Sequence, residues 1–188
     1  MTSEWSRERA LALLRRYVTN DVLIKHCLAS EAIMRAVAAR LGEDAERWGL
    51  AGLLHDLDFE ETKDLPSEHA AKAAAILAGE GLAEDIVLAI REHNSEGLGI
   101  ARQSRMGIAL TAAETVTGLI VASALVLPDK RLASVKASSV RKRMKEKAFA
   151  RNVSRERIVE CEKIGLPLDE FLALSVEAME AIAADLNL

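Results

Sequence analysis

Apolar residues recur along this chain at helical rather than strand spacing. Leu23, Cys27, Met34, Ala38 and Leu41 fall 4, 7, 4 and 3 positions apart, one face of a helix over about 22–41. Asn20 or Asp21 can cap its start, and Gly42 ends it. In "AEDIVLAIREHN", Ile86, Ile90 and His93 stand at i, i+4 and i+7, so an imidazole continues an apolar stripe. Leu110, Glu114, Thr117, Val121 and Ala124 share a face of a long helix over 103–127, which Pro128 breaks. The remaining pattern predicts a charged first helix over 4–17, a third helix opened by Asp44 and ending near His55, and an alanine-rich helix over 65–77. Beyond Pro128 it predicts a basic helix over 139–150 and helices over 154–164 and 168–186. Period-2 segments bounded by turn residues are few, so the fold class is all-α, a helical bundle. Pro128 marks a candidate boundary between a core, residues 1–127, and a C-terminal helical extension, residues 128–188; one continuous domain fits the pattern equally.

Composition supports the same class. Half of the 188 residues are hydrophobic, 3% are aromatic, and there are thirty-two alanines against three prolines. The core is therefore built from Leu, Ile, Val, Met and Ala. Residues 106–127 carry a single charge, Glu114, and are long enough to span a bilayer. A mid-span carboxylate is costly there, so the expectation is a buried central helix and no membrane. The charged N-terminal stretch has no uninterrupted apolar segment and predicts no signal peptide. Two cysteines 134 positions apart, Cys27 and Cys161, form no scaffold and suit a reducing compartment; the expected address is cytoplasmic.

Charge is unevenly spread. Residues 130–157 hold eleven Lys or Arg against Glu146 and Glu156, while the whole chain has a net charge of −4. Such a stretch is usually a solvated helix face, here with Val140, Met144 and Ala148 inward. It could also fold back and offer Lys or Arg to an anionic ligand. With Phe149 its one aromatic, the stretch shows no stacking platform, and nucleic acid is not the expected partner.

Chemistry concentrates in four histidines, His26, His55, His69 and His93, each in or at the end of a helix with an apolar face. Alone, each is more often a hydrogen-bonded core or cap residue than a ligand. Asp56 sharpens the picture. It follows an uncharged run, "WGLAGLL", at a helix C-terminus, where the macrodipole disfavours a carboxylate by about 0.3–1 kcal/mol. A cation must compensate if it is buried, and Lys25 and Arg91 are nearby candidates. A divalent ion held by His55, Asp56 and donors from other helices satisfies all these groups together. Mixed imidazole and carboxylate ligation suits Mn, Fe, Co, Ni, Zn or Mg. Cys27 beside His26 is not a nucleophile pair, because helix neighbours point about 100° apart.

His26, His55-Asp56 and an acid on a late helix resemble the H…HD…D signature of the HD-domain superfamily of metal-dependent phosphohydrolases. The flanking "IKHCLASEAIMRAVAARLG", "LAGLLHDLDFE" and "TAAETVTGLIVA" resemble its ligand helices, over roughly residues 21–127. The resemblance implies His26, His55, Asp56 and Glu114 as metal ligands, although Glu114 stands where the family has Asp. It implies catalytic roles for Asp56, His69 and His93, with the two histidines holding a second ion or binding substrate phosphate. One or two ions per chain and a small phosphorylated substrate are thus expected, with hydrolysis by water acidified at the ion. Asp58 and Glu60 are candidates to position water or a histidine, though a solvated acidic loop is the commoner case. Alternatives are a binding or regulatory module that lost turnover and, further off, a di-iron oxygenase.

Overall fold

The computed structural model describes residues 5–188. The expected helix start at residue 4, and the beginning of the N-terminal stretch, lie outside them. The described residues form helices without a strand: α1 (Arg7–Tyr17), α2 (Asp21–Leu41), α3 (Ala45–Leu54), α4 (Phe59–Thr62), α5 (Ala71–Gly79), α6 (Glu84–His93), α7 (Ser95–Leu98), α8 (Arg105–Leu125), α9 (Ala137–Arg143), α10 (Arg155–Val159), α11 (Leu168–Ala181) and α12 (Ala183–Leu186). Single 3-10 turns occupy Leu132–Ser134 and Glu160–Ile164.

Polar caps set the starts. Asn20 Oδ1 accepts from the N–H groups of Val22 and Leu23, and an Asp44 carboxylate oxygen accepts from those of Glu46 and Arg47. Gly42, at φ +72°, terminates α2 in the left-handed region that favours glycine.

The closest pairing is α2 on α3. Gly52 makes it possible: a Cβ there would lie 2.7 Å from Ser30 O and 2.8 Å from the Glu31 backbone. Glu31, buried in that seam, receives a two-pronged contact from the Arg7 guanidinium at 2.6 and 3.0 Å, which pins α1 to α2. The long helix α8 packs against α2, α3 and α6 and is mostly buried. By length and composition it could cross a membrane; its position is that of a core helix.

Three expected helices differ in extent, and a fourth, expected over 154–164, is α10 followed by a 3-10 turn. The segment 65–70 is a succession of turns, and α5 begins only at Ala71. Ala70 takes φ +68°, a left-handed conformation costly for an L-residue, and that reversal separates the two. His69 therefore sits in a turn, not in a first helical turn. The basic helix stops at Arg143 rather than 150. The Arg155 guanidinium donates to the carbonyls of Ala150 at 2.8 Å and Val153 at 2.7 Å and also reaches Arg143, Glu146 and Phe149. Those carbonyls have a side-chain partner in place of a helical N–H. Val140 and Met144 point inward as expected, whereas Ala148, beyond the helix end, is exposed. Finally, 168–186 is divided at Ile182 into α11 and α12.

Residues after Pro128 share the main apolar cluster. Leu132, Val140, Ile158, Leu166, Phe171, Leu172 and Met179 are buried in it together with Ile33, Leu53, Leu110 and Ile120. α11 lies on α2 and α9, and Arg40 on α2 pairs with Glu170 on α11.

Candidate metal centre

Four elements deliver five side chains to one place. α2 carries His26 and α3 ends at His55, its C-cap, with Asp56 next in the turn. The 65–70 turns hold His69, and His93 is the last residue of α6. His26 Nε2 lies 3.1 Å from His55 Nε2, and His69 Nε2 lies 3.1 Å from His93 Nε2. Asp56 joins the two pairs. Its Oδ1 stands 3.5 Å from His55, 3.4 Å from His69 and 3.6 Å from His93, and its Oδ2 stands 3.7 Å from His26, each measured to Nε2. The two overlapping groups are His26, His55, Asp56 and Asp56, His69, His93.

The other ring nitrogens explain the orientation. His55 Nδ1–H donates to Gly52 O at 2.8 Å and His93 Nδ1–H to Ile90 O at 2.5 Å. His69 Nδ1–H donates to Asp58 Oδ1 at 2.9 Å. The Thr117 hydroxyl gives its hydrogen to Glu114 O at 2.6 Å, so it accepts from His26 Nδ1–H at 3.0 Å. With Nδ1 committed as the donor on every ring, Nε2 is the atom each imidazole turns inward, and its lone pair is the one available to a metal. In the first pair two such lone pairs face each other at 3.1 Å. That arrangement is repulsive without a cation. Two nitrogens each about 2.0–2.1 Å from one ion at right angles would be about 3 Å apart, so the donor set fits a divalent metal.

Charge in the cluster is set by burial and contact. Burial holds His55 neutral, lowering its pKa to about 3 against the pull of Asp56. Burial alone would raise the Asp56 carboxyl. His55, His69, His93 and His26 outweigh it, and the group sits well below the usual carboxylate range. Burial likewise opposes the charged form of His69, but hydrogen bonds to Asp56 and Asp58 raise it to about 9. Lys25, a candidate counter-charge for Asp56, pairs instead with Asp21 at 2.6 Å.

Glu114 falls in neither group. Its Oε1 accepts from Thr115 Oγ1 at 2.6 Å and lies 3.4 Å from Arg157 Nη1. It lines the same cavity, about 850 Å³, with His26, Asp56, His69, His93, Asn94, Lys63 and Arg157, while Val22, Leu23 and Phe59 form an apolar side. Asp58 is no part of a solvated loop. It is buried, with Oδ2 accepting from Ala73 N–H at 2.9 Å and Oδ1 fixing His69. Glu60 accepts from the N–H groups of Thr19 and Asn20 at 2.8 and 2.6 Å, tying the α4 start to the α2 start. The Cys27 thiol is fully buried, and burial pushes it well above its ordinary range, which removes it as a nucleophile. Thr117 and Arg157 were not singled out by the sequence pattern. Thr117 shares the stripe of Glu114 one turn on, and Arg157 ends the basic stretch.

Comparison with known proteins agrees with this geometry. Residues 23–125 match the HD domain family. Among curated proteins, Ribonuclease Y of Oleidesulfovibrio alaskensis is 28% identical over 96 residues, 51% of this chain and 18% of that protein's length. The chain thus spans under a fifth of that relative. No solved structure matches.

Proposed function

This chain belongs to the HD-domain family, and from that premise we propose that it is a metal-dependent phosphohydrolase acting on a small phosphomonoester or phosphodiester, nucleotides included. The observation that carries the reading is the convergence of four imidazole Nε2 atoms on the two oxygens of Asp56. His26, His55 and Asp56 would hold one divalent ion, with Glu114 as a further ligand if it exchanges Arg157 for the metal. His69 and His93 would complete a second with Asp56. Mn, Fe, Ni, Co, Zn and Mg suit such donors. When bound, the ion supplies Lewis-acid polarisation of the phosphoryl group and acidifies water.

The residues themselves do the rest. Asp56 remains an acceptor at all working pH values, because the surrounding imidazoles hold its carboxyl low. Gly52 O, Ile90 O, Asp58 and Thr117 fix the four rings, so little reorganisation accompanies ligation. Lys63 on the cavity wall offers a donor to phosphoryl oxygens. A cavity of about 850 Å³ suits a small substrate rather than a nucleic acid. The apolar side at Val22, Leu23 and Phe59 gives the organic part of that substrate a surface. We place the protein in the cytoplasm.

The test is release of phosphate from a panel of mononucleotides, sugar phosphates and phosphodiesters with each metal in turn. Metal-dependent turnover that His55→Ala lowers at least a thousandfold is expected. No turnover from metal-loaded protein on any substrate would instead favour a binding module, the reading to which the Glu114–Arg157 contact lends support.

A further inference from the structure

We infer that Arg157, reaching the site from the C-terminal segment, is the anchor for the substrate's phosphate, parked on Glu114 and Glu96 until that anion arrives; this rests on the phosphohydrolase reading. Three other arginines of the basic stretch 130–157 are committed elsewhere. Arg141 pairs with Asp169, Arg143 lies over the Phe149 ring and near Glu146, and Arg155 serves loop carbonyls. Arg157, by contrast, lines the metal-site cavity. It also lines, with His26 and Glu114, a neighbouring cavity of about 240 Å³. The Arg157–Glu114 pair is therefore a wall common to both spaces.

The guanidinium stands close to the chemistry. Its Nη2 donates to the backbone carbonyl of His93 at 3.3 Å, and the same residue points Nε2 at Asp56. One histidine's length separates Arg157 from the convergent nitrogens. Its other contacts are Nη1 to Glu114 at 3.4 Å and Nη2 to Glu96 at 2.5 Å. These account for three of the five N–H donors of a guanidinium, whose planar fork matches two phosphate oxygens.

Both carboxylates can release it without being orphaned. Glu96 is over half exposed and also receives Arg102 at 3.0 Å. Glu114 keeps the Thr115 hydroxyl. Arg102 is a brace, not a second anchor. It is buried and bound to both oxygens of Glu160 at 2.9 Å and to Glu92 O at 3.0 Å. The backbone of Arg157 is itself held, since its N–H donates to Ser154 Oγ, the cap of α10, at 3.3 Å. An exposed ion pair such as Arg157–Glu96 contributes little, whereas two charge-assisted bonds to phosphate contribute more.

The experiment is calorimetric titration of inorganic phosphate into the full chain, once with manganese and once after chelation, for wild type, Arg157→Gln, Glu96→Gln and Arg141→Gln. Arg157→Gln should weaken phosphate binding about tenfold or more in manganese, and measurably after chelation, with manganese content unchanged. Glu96→Gln, which frees the guanidinium, should tighten binding severalfold, and Arg141→Gln should change nothing. Equal affinities for wild type and Arg157→Gln, or an equal loss from Arg141→Gln, would overturn the inference. So would a wild type that binds no phosphate in either arm. Wild type that retains no manganese refutes the underlying phosphohydrolase reading instead, and the chelated arm then decides on Arg157 alone.

Discussion

His69 is the residue whose state changes most between an empty and a loaded centre. Its imidazole is lifted to about 9 by Asp56 and Asp58, so in metal-free protein it carries a proton at neutral pH. Ligation through Nε2 requires that proton to leave. Metal uptake at pH 7.5 should therefore release about one proton for the His69–His93 group, and affinity should rise with pH until about 9. Calorimetry in buffers of different ionisation enthalpy reads this directly, and pH-independent affinity between 6.5 and 9 would contradict it. The sign for stability runs the other way. A pKa raised from 6.5 stabilises metal-free protein fully below 6.5, and that contribution fades as pH climbs through 9. Asp58→Asn leaves one amide oxygen for two donors, His69 Nδ1–H and Ala73 N–H, and removes the negative charge; it should cost about 10–100-fold in metal affinity at that group while sparing the His26–His55 group. Equilibrium dialysis distinguishes one lost equivalent from two. The histidines were legible in the sequence because four of them, with the His55-Asp56 doublet, fall in or beside apolar segments, although His69 lies in a turn and not on a helix face. Asp58 was legible only as one of two acids that could position a histidine, and Thr117 not at all, because a threonine in a helix acquires its role only from the neighbours that folding brings.

Helix α3 illustrates what an element must supply. Its run "WGLAGLL" looks like mere greasiness in sequence, yet Gly52 within it sets how near α2 can come and offers the carbonyl that orients His55. Gly52→Ala would drive a methyl against Ser30 O and the Glu31 backbone, which no side-chain rotation relieves. The expected cost is about 1–3 kcal/mol of stability, together with loss of metal as His26 and His55 separate. Chemical denaturation and metal content measure the two effects, and an unchanged midpoint would show that the seam yields. Periodicity gave α2, α3, α6 and α8 within a few residues because each buries one long face. It overran at α5 and α9, where a single left-handed residue and a single half-buried arginine redirect the backbone. Neither event leaves a periodic trace.

For the whole molecule, the segment after Pro128 bears on both stability and site. Phe171, Leu172 and Met179 are buried in the cluster that also contains Ile33 and Leu110, and Arg157 reaches the cavity from the same segment. A chain ended at residue 127 should lose cooperative unfolding and expose apolar surface to a dye such as ANS, and a sharp melt at the full-length temperature would contradict this. A metal bound only by the folded state should raise the melting temperature, by an amount equivalent to about 2.7 kcal/mol at a hundredfold excess over its Kd.

The central claim is that His26, His55, His69, His93 and Asp56 hold one or two divalent ions. Elemental analysis of wild type and Asp56→Ala, purified side by side without chelator from metal-supplemented cultures, tests it most directly. One to two equivalents of a transition metal or magnesium in wild type, falling to a small fraction in Asp56→Ala, is the predicted result. Wild type that carries none, or a variant that keeps the full complement, would contradict it.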